Sequence, residues 1–347
     1  MKTSHAIPLK QRIDRLHRGG LIDMHFDLPL GLYWNRSRRG VVRRDFLRQF
    51  RAANTSLLGV ALYVEDTDLS QALQVALDQV ALLREEIERT PELMLCRSFA
   101  EIQRARAARR IGMLLTMEGA EPLGKDLHLL RVFYDLGLRA ISLTHARENA
   151  AAAGGIFAPT GSPRHGLTAF GRDLVRECER LGIMIDLAHI NPAGFEEIVR
   201  LTKKPLIVSH SNARRFFDIE RNMTDEQIKM IGRRGGVIGI NAILVSPTKE
   251  EATLDRYVDH IEHVADLIGI DGVGIGFDFC QFLWRQMPRT VRDDLETKLT
   301  VPHFLPDLDN HGDARKVTAK LIERGFTNVE IEKFLRGNWL RVLKQLL

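Results

Sequence analysis

Cysteine is scarce in this chain, with three residues in 347. Cys96, Cys178 and Cys280 lie far apart, and an odd number cannot all pair within one chain. A disulfide-built scaffold is therefore excluded, and a reducing compartment fits. Long apolar runs are missing as well. No stretch approaches the roughly 20 residues needed to span a bilayer, and Met1–Gly20 lacks the apolar core of a secretory leader. The expectation is a cytoplasmic chain with no membrane contact. No repeat of fixed period, low-complexity tract or Gly/Pro/Ser-rich linker divides the sequence, so residues 1–347 are expected to form one domain. Aromatic residues amount to only 7% and are not interleaved with the basic ones. The formal charge of +5 is thus not read as a nucleic-acid surface, which needs stacking platforms beside its cations. The densest basic run is Arg36, Arg38, Arg39, Arg43 and Arg44, while Arg104, Arg106, Arg109 and Arg110 read as the solvated side of a helix.

What recurs is a short apolar, β-branched run followed by a longer stretch with helical spacing, the sequence form of a parallel sheet with crossover helices. There are eight such runs: Leu21–His25, Leu57–Val64, Ile111–Glu118, Leu138–Thr144, Ile183–His189, Leu206–His210, Val237–Ile243 and Gly272–Asp278. Leu69–Arg89 places Leu73, Ala76, Leu77, Val80, Leu83 and Ile87 on one helical face. Phe170–Leu181, Pro192–Lys203, Asp225–Arg234, Leu254–Ile268, Asp313–Gly325 and Asn328–Leu346 continue the pattern. Asn191 followed by Pro192 is a helix start, a capping side chain before proline at the first helical position. The fold class expected is α/β, a closed (β/α)8 barrel of the TIM type. Ala150–Gly166 and Cys280–Asp309 are the loosest segments, and both follow strands.

Barrels carry their sites at the C-terminal ends of the strands. Six of the eight runs end at or beside a side chain able to bind a metal or move a proton. These are His25 with Asp27, Glu118, Thr144 with His145, His189, His210 and Asp278. His25 and Asp27, two apart on an extended segment, would face the same way. Singly, each has an ordinary reading: a hydrogen-bonded structural histidine, or Glu118 or Asp278 as a helix cap. Convergence changes the balance, because by chance such residues belong in loops and on helix faces, where His5, His128, His260, His263 and His311 fall. Three imidazoles and two carboxylates match two zinc ions with one carboxylate bridging and positions left for water. Nitrogen-rich ligation disfavours magnesium and calcium and leaves iron, cobalt and manganese open.

With these landmarks the chain resembles the membrane (renal) dipeptidase family of zinc peptidases, from about Leu21 to the C-terminus. The resemblance is carried by Asp23-Met24-His25-Phe26-Asp27, Glu118-Gly119, Leu143-Thr144-His145, Gly166-Leu167-Thr168, Ile185-Asp186-Leu187-Ala188-His189, Ser209-His210-Ser211-Asn212, Arg221-Asn222, Gly276-Phe277-Asp278 and Gly337-Asn338-Trp339. It implies a barrel akin to the amidohydrolases that cleaves small dipeptides, some with a D-residue on the C-terminal side. His25 and Asp27 would hold one zinc, His189 and His210 the other, and Glu118 would bridge them. His145 would contact the developing oxyanion, Arg221, which on its own reads as a surface arginine starting a helix, the substrate carboxylate, and Asp278 would move protons. Homodimers are also implied, and the apolar face of the last helix, with Trp339, Leu340, Leu343, Leu346 and Leu347, would either cover the barrel or meet a partner. Departures from the family pattern lie near the pocket: Met24 and Phe26 between the ligands, Cys280 where a second aspartate is common, Ala188 for serine, and a small-residue Ala150–Gly155 loop. Two other readings remain open, an amidohydrolase of an N-acyl amino acid, lactam or lactone, and a non-catalytic metal-binding barrel. The Arg36–Arg44 run reads as a loop lining substrate entry, favouring acidic dipeptides, or as a partner surface.

Overall fold

All eight apolar runs become parallel strands of one sheet, in a computed structural model that describes residues 7–161, 164–290, 292–293 and 303–347. The strands are β1 (Leu21–Phe26), β2 (Thr55–Tyr63), β3 (Leu93–Leu95), β4 (Ile111–Glu118), β5 (Leu138–Ser142), β6 (Met184–Asp186), β7 (Ile207–Ser211), β8 (Val237–Ile240) and β9 (Val273–Ile275). The order β2-β1-β9-β8-β7-β6-β5-β4 closes on itself through β2 and β4, from Leu57 opposite Gly112 to Tyr63 opposite Glu118. The fold is an α/β TIM barrel. The unexpected strand is β3, a short edge piece. It pairs with β4 at Ile111–Met113, below the Leu115–Glu118 stretch that β5 occupies.

Ile22, Met24, Leu57, Leu114, Ala140, Met184, Ile207 and Val237 form one buried cluster with Trp339, Val342 and Leu343. The C-terminal helix Asn338–Leu346 therefore covers the barrel. Trp339 is fully buried and its indole N–H donates to the Ile275 carbonyl at 3.0 Å. The outward side chains form a second, larger cluster with the surrounding helices.

Asn191 caps Pro192–Leu201 by accepting from the Gly194 N–H at 2.8 Å. The helix expected from Leu69 begins at Ala72, after a tight turn at Asp66–Gln71, and its buried face is Ala72, Val75, Ala76, Gln79, Val80, Leu83 and Glu86. Leu73 points outward, 36% exposed. Two polar residues displace the apolar stripe because each is spoken for: Gln79 clasps the Tyr63 backbone, and Glu86 accepts from the Gly40 and Val42 N–H groups. Helices at Leu9–His17, Leu28–Trp34, Leu47–Ala53 and Leu127–Leu136 had no counterpart in the sequence pattern, whereas Phe99–Ala107 is the helix expected around Arg104 and Arg106. Among the described residues no helix is long and apolar enough to cross a membrane, and all three cysteines are unpaired.

Candidate active site

Several strands stop earlier than their apolar runs, and the functional side chains sit on the turns beyond. β6 ends at Asp186 and β9 at Ile275, so His189 and Asp278 each lie three residues past a strand. Both adopt left-handed backbone, with φ of 64° and 58°, conformations that cost a non-glycine residue about 1–2 kcal/mol. Asp27 also departs from expectation. It is not on an extended segment sharing a face with His25; it stands at the start of the helix Leu28–Trp34, with φ −77° and ψ 36°. The sharp turn after Glu118 falls to Gly119 at φ 90°.

The side chains nonetheless converge. The Glu118 carboxylate lies 2.9 Å from His189 Nε2, 3.3 Å from His210 Nε2 and 3.7 Å from His25 Nε2, all to Oε1. His25 Nε2 is also 3.5 Å from Asp27 Oδ1 and 3.7 Å from Asp278 Oδ1. Three groups have donor atoms close enough to share a cation: His25, Glu118 and His210; Glu118, His145 and His189; and His25, Asp27 and Asp278. Glu118 and His25 each belong to two of them.

A cation fits this arrangement on physical grounds. His25 Nε2 and Asp27 Oδ1 are buried without a hydrogen-bond partner. His189 Nε2 and His210 Nε2 lie 2.9 Å apart, both beside Glu118 Oε1, and one proton cannot satisfy all three atoms. Lone pairs from all of them on a divalent ion would. Without a cation, burial raises Glu118 to about 8 and Asp278 to about 7. Burial opposes protonation of His25, yet Glu118, Asp27 and Asp278 together outweigh it and raise its pKa to about 10. Burial, and then Arg147 and Arg221, hold His145 well below its usual value, so it is a neutral imidazole.

Outer partners fix these groups, as metal ligands require. Ser209 Oγ lies 2.8 Å from His210 Nδ1. Asn241 donates to Asp278 Oδ2 at 3.0 Å. Asp23 accepts from the N–H groups of His25 and Phe277, at 3.1 and 3.0 Å, and pairs with His311 at 2.8 Å. Asp186 accepts from the N–H groups of Ala188 and Ser209. Asp23, Asp186 and Asn241 share one device: each accepts the N–H two residues ahead and ties its strand to the next.

The surrounding cleft is lined by Asp27, Glu118, His145, His189, Arg221 and Asp278, together with Tyr63, Glu65, Phe157, Cys280 and an apolar wall of Ile243, Leu244, Leu283, Trp284 and Met287. A wider cavity of about 650 Å³ between Phe26, Arg44, Phe46 and Phe282 touches none of the candidate ligands. Arg221 is buried, not a surface residue, and precedes the helix Asp225–Arg233. Its Nη2 donates to the His210 carbonyl at 2.8 Å and its Nη1 to Ser211 Oγ at 3.2 Å, while Nε has no partner. The Ala150–Gly155 loop is pinned rather than loose. The Asn149 amide oxygen accepts from the Ala151 and Ala152 N–H groups, and Gly154 passes where a side chain would strike the His145 carbonyl. Cys280 lines the cleft. His260 and His311 are buried structural residues; His5 lies outside the described residues, as do 162–163, 291 and 294–302 in the two loops. Glu65, Tyr63, Asn241 and His311 went unrecognised in the sequence. Only Asn241 had a signal there, an Asx beside a strand end like Asp186.

The sequence profile of the membrane dipeptidase family, peptidase family M19, matches residues 10–288. The chain belongs to this family. A dipeptidase of Schizosaccharomyces pombe described as uncharacterized is 33% identical over 240 residues, 68% of this chain and 53% of the relative. Dipeptidase tcpJ of Claviceps purpurea is 29% identical over 298 residues, 82% of this chain and 65% of the relative. The matched stretches thus span between half and two thirds of these relatives. A metallopeptidase from Rhodobacter sphaeroides, solved with a phosphinate mimic of the dipeptide L-Ala-D-Ala, superposes with a TM-score of 0.82 at 26% identity, covering 94% of this chain and 99% of that one.

Proposed function

We propose that this chain is a dinuclear zinc dipeptidase that hydrolyses the amide bond of small dipeptides, including those with a D-residue at the C-terminal side. The observation that carries the reading is the convergence of His25, Asp27, Glu118, His189 and His210 around one buried point, with Glu118 common to the histidines on both sides. His25 and Asp27 would hold one ion, His189 and His210 the other, and Glu118 would bridge them. Such ions, when bound, polarise the scissile carbonyl and make a water nucleophilic at neutral pH. The Rhodobacter sphaeroides enzyme with its dipeptide mimic and the dipeptidase names of the relatives support the substrate class.

The remaining steps belong to the chain's own residues. Asp278 keeps Oδ2 in the hydrogen bond from Asn241 and turns Oδ1 toward His25. It accepts the proton of the attacking water and returns it to the departing amine nitrogen. His145, neutral, donates a hydrogen bond to the oxygen that gains charge. Arg221 offers its free Nε–H to the terminal carboxylate. The unpaired cysteines accord with a cytoplasmic site of action.

The apolar wall from Ile243 to Met287 supports one alternative, an N-acyl amino acid in place of a dipeptide. The test is turnover of a panel of L,L- and L,D-dipeptides and N-acyl amino acids by the zinc-loaded protein, with a chelated sample and Asp278→Asn as controls. Asparagine tolerates left-handed backbone and keeps the contact to Asn241, so this variant removes the base without breaking the turn. Dipeptide cleavage should fall by a factor of roughly 10² or more in both controls. Stoichiometric metal with no dipeptide turnover would sink the dipeptidase reading.

A further inference from the structure

Another hollow of the molecule is at the opposite face, beneath the N-terminal ends of the strands that lead to His25, Asp27 and Glu118. Arg18, Gly19 and Gly20 precede β1, Asn54–Ser56 open β2, and Arg106, Arg109 and Arg110 precede β4; together they line a cavity of about 600 Å³. The arginines expected on a solvated helix side thus divide. Arg104 pairs with Glu101, whereas Arg106, Arg109 and Arg110 turn toward Arg18.

Charge in this bowl is uncompensated. No carboxylate lines it, and none of its four guanidinium groups makes an ion pair among the described residues. Elsewhere on the surface Arg131, Arg176 and Arg180 each meet an acid at 2.6–3.0 Å. Arg106 donates to the Gly19 carbonyl at 3.0 Å and Arg110 to that of Leu93, which aims both side chains. Two polar atoms, Arg110 Nε and Thr55 Oγ1, are buried without a partner, and Thr55 is only 6% exposed. Arg109 occupies the position just past the helix Phe99–Ala107 with φ 56°, where glycine ordinarily relieves left-handed backbone.

We propose that this bowl is a binding site for a small polyanion carrying two or more phosphoryl groups. Planar guanidinium forks match phosphate oxygens two at a time, and four of them call for a ligand of comparable negative charge. Concavity sets it apart from a flat membrane patch. No aromatic side chain lines it, so a nucleobase has nothing to stack on. The site is independent of the peptidase reading and lies about one strand length, roughly 20 Å, from the metal-ligand cluster.

Calorimetric titration of the metal-loaded full chain with inorganic pyrophosphate, with metal content measured before and after, tests this. One saturable site is expected, with Kd raised at least tenfold in Arg18→Gln/Arg109→Gln and unchanged in Arg131→Gln/Arg176→Gln, which removes the same charge from exposed helix faces. Arg109→Gly separates ligand loss from misfolding: glycine relieves the backbone, so weaker binding in a variant as stable as the parent is due to the missing guanidinium. The proposal is overturned by no saturable binding, by equal weakening in both double variants, or by binding that vanishes on chelation. Tighter capture of RNA or of anionic vesicles than of pyrophosphate would overturn it too.

Discussion

Arg221 keeps two of its nitrogens on the protein and one free, and this division decides what a substitution there does. Nη1 and Nη2 hold Ser211 and the His210 carbonyl, so the guanidinium props up the strand of a candidate ligand while Nε is buried with no partner on the protein. Arg221→Lys retains the charge but cannot make both contacts at once. A charge-assisted hydrogen bond is worth about 1.5–3 kcal/mol, so KM for dipeptides with a free terminal acid should rise roughly ten- to a hundredfold. C-terminally amidated dipeptides, which never made the bond, should be poor substrates of parent and variant alike. Glu65 is the complementary case. It lines the cleft, and burial, followed by Asp66 and Asp27, raises it to about 7, so it gains from a neighbouring cation. A dipeptide supplies one in its free amine. Glu65→Gln should raise KM for dipeptides several-fold and leave N-acyl amino acids untouched; identical effects on both substrate classes in steady-state assays would remove Glu65 from substrate recognition.

At the level of elements, the barrel was legible because β-branched runs buried on both faces have no competing explanation, and each of the eight became a strand. Their ends were less legible. Leu187 and Ala188, or Gly276 and Phe277, are as apolar as strand residues, yet the regular strands end before them, and only single backbone bonds, such as Leu187 N–H to the Ile207 carbonyl, continue as the chain turns to carry His189 and Asp278 over the barrel mouth. The candidate ligands could still be named, since a turn of two or three residues moves a side chain a few ångströms and not to another face. Glu65 gave no sign, because a lone carboxylate after a strand is also what any solvated turn looks like. The last helix left two choices in sequence and takes one in the fold. Trp339 fills the base of the barrel and bonds Ile275, with Gly274 in contact beneath the ring. Trp339→Ala should therefore cost about 3–5 kcal/mol in denaturant unfolding. A loss under 1 kcal/mol would mean that the barrel closes without this plug.

For the whole molecule, the pH dependence of stability separates the candidate metal-ligand cluster from the scaffold. Glu118 and Asp278, raised by burial, favour the metal-free fold below their unfolded pKa values of about 4, and that contribution is lost as pH rises toward 7 and 8. Bound cations reverse this, so chelation should lower Tm most at neutral and higher pH. His260 works in the opposite sense and far from the cleft. Its Nδ1 accepts from the Ala213 N–H at 3.0 Å and its Nε2 lies 2.9 Å from the Val245 carbonyl. Both nitrogens are thus committed as a neutral ring, and a second proton would point at a donor. Burial lowers its pKa to about 3, the Val245 contact raises it in part, and Arg256 and His263 add to the depression. The unfolded chain takes up this proton near 6.5 and the folded chain does not. The contribution is therefore whole above pH 6.5 and is lost steadily as pH falls toward 3. Between pH 6.5 and 4.5 that amounts to roughly 3 kcal/mol. His260→Gln, with an amide that can donate to Val245 and accept from Ala213, removes the titration and keeps the contacts. In urea unfolding of chelated protein the stability of the parent relative to the variant should fall by that amount as pH drops over this range. A gap that stays constant with pH would show that the acid sensitivity lies in other groups.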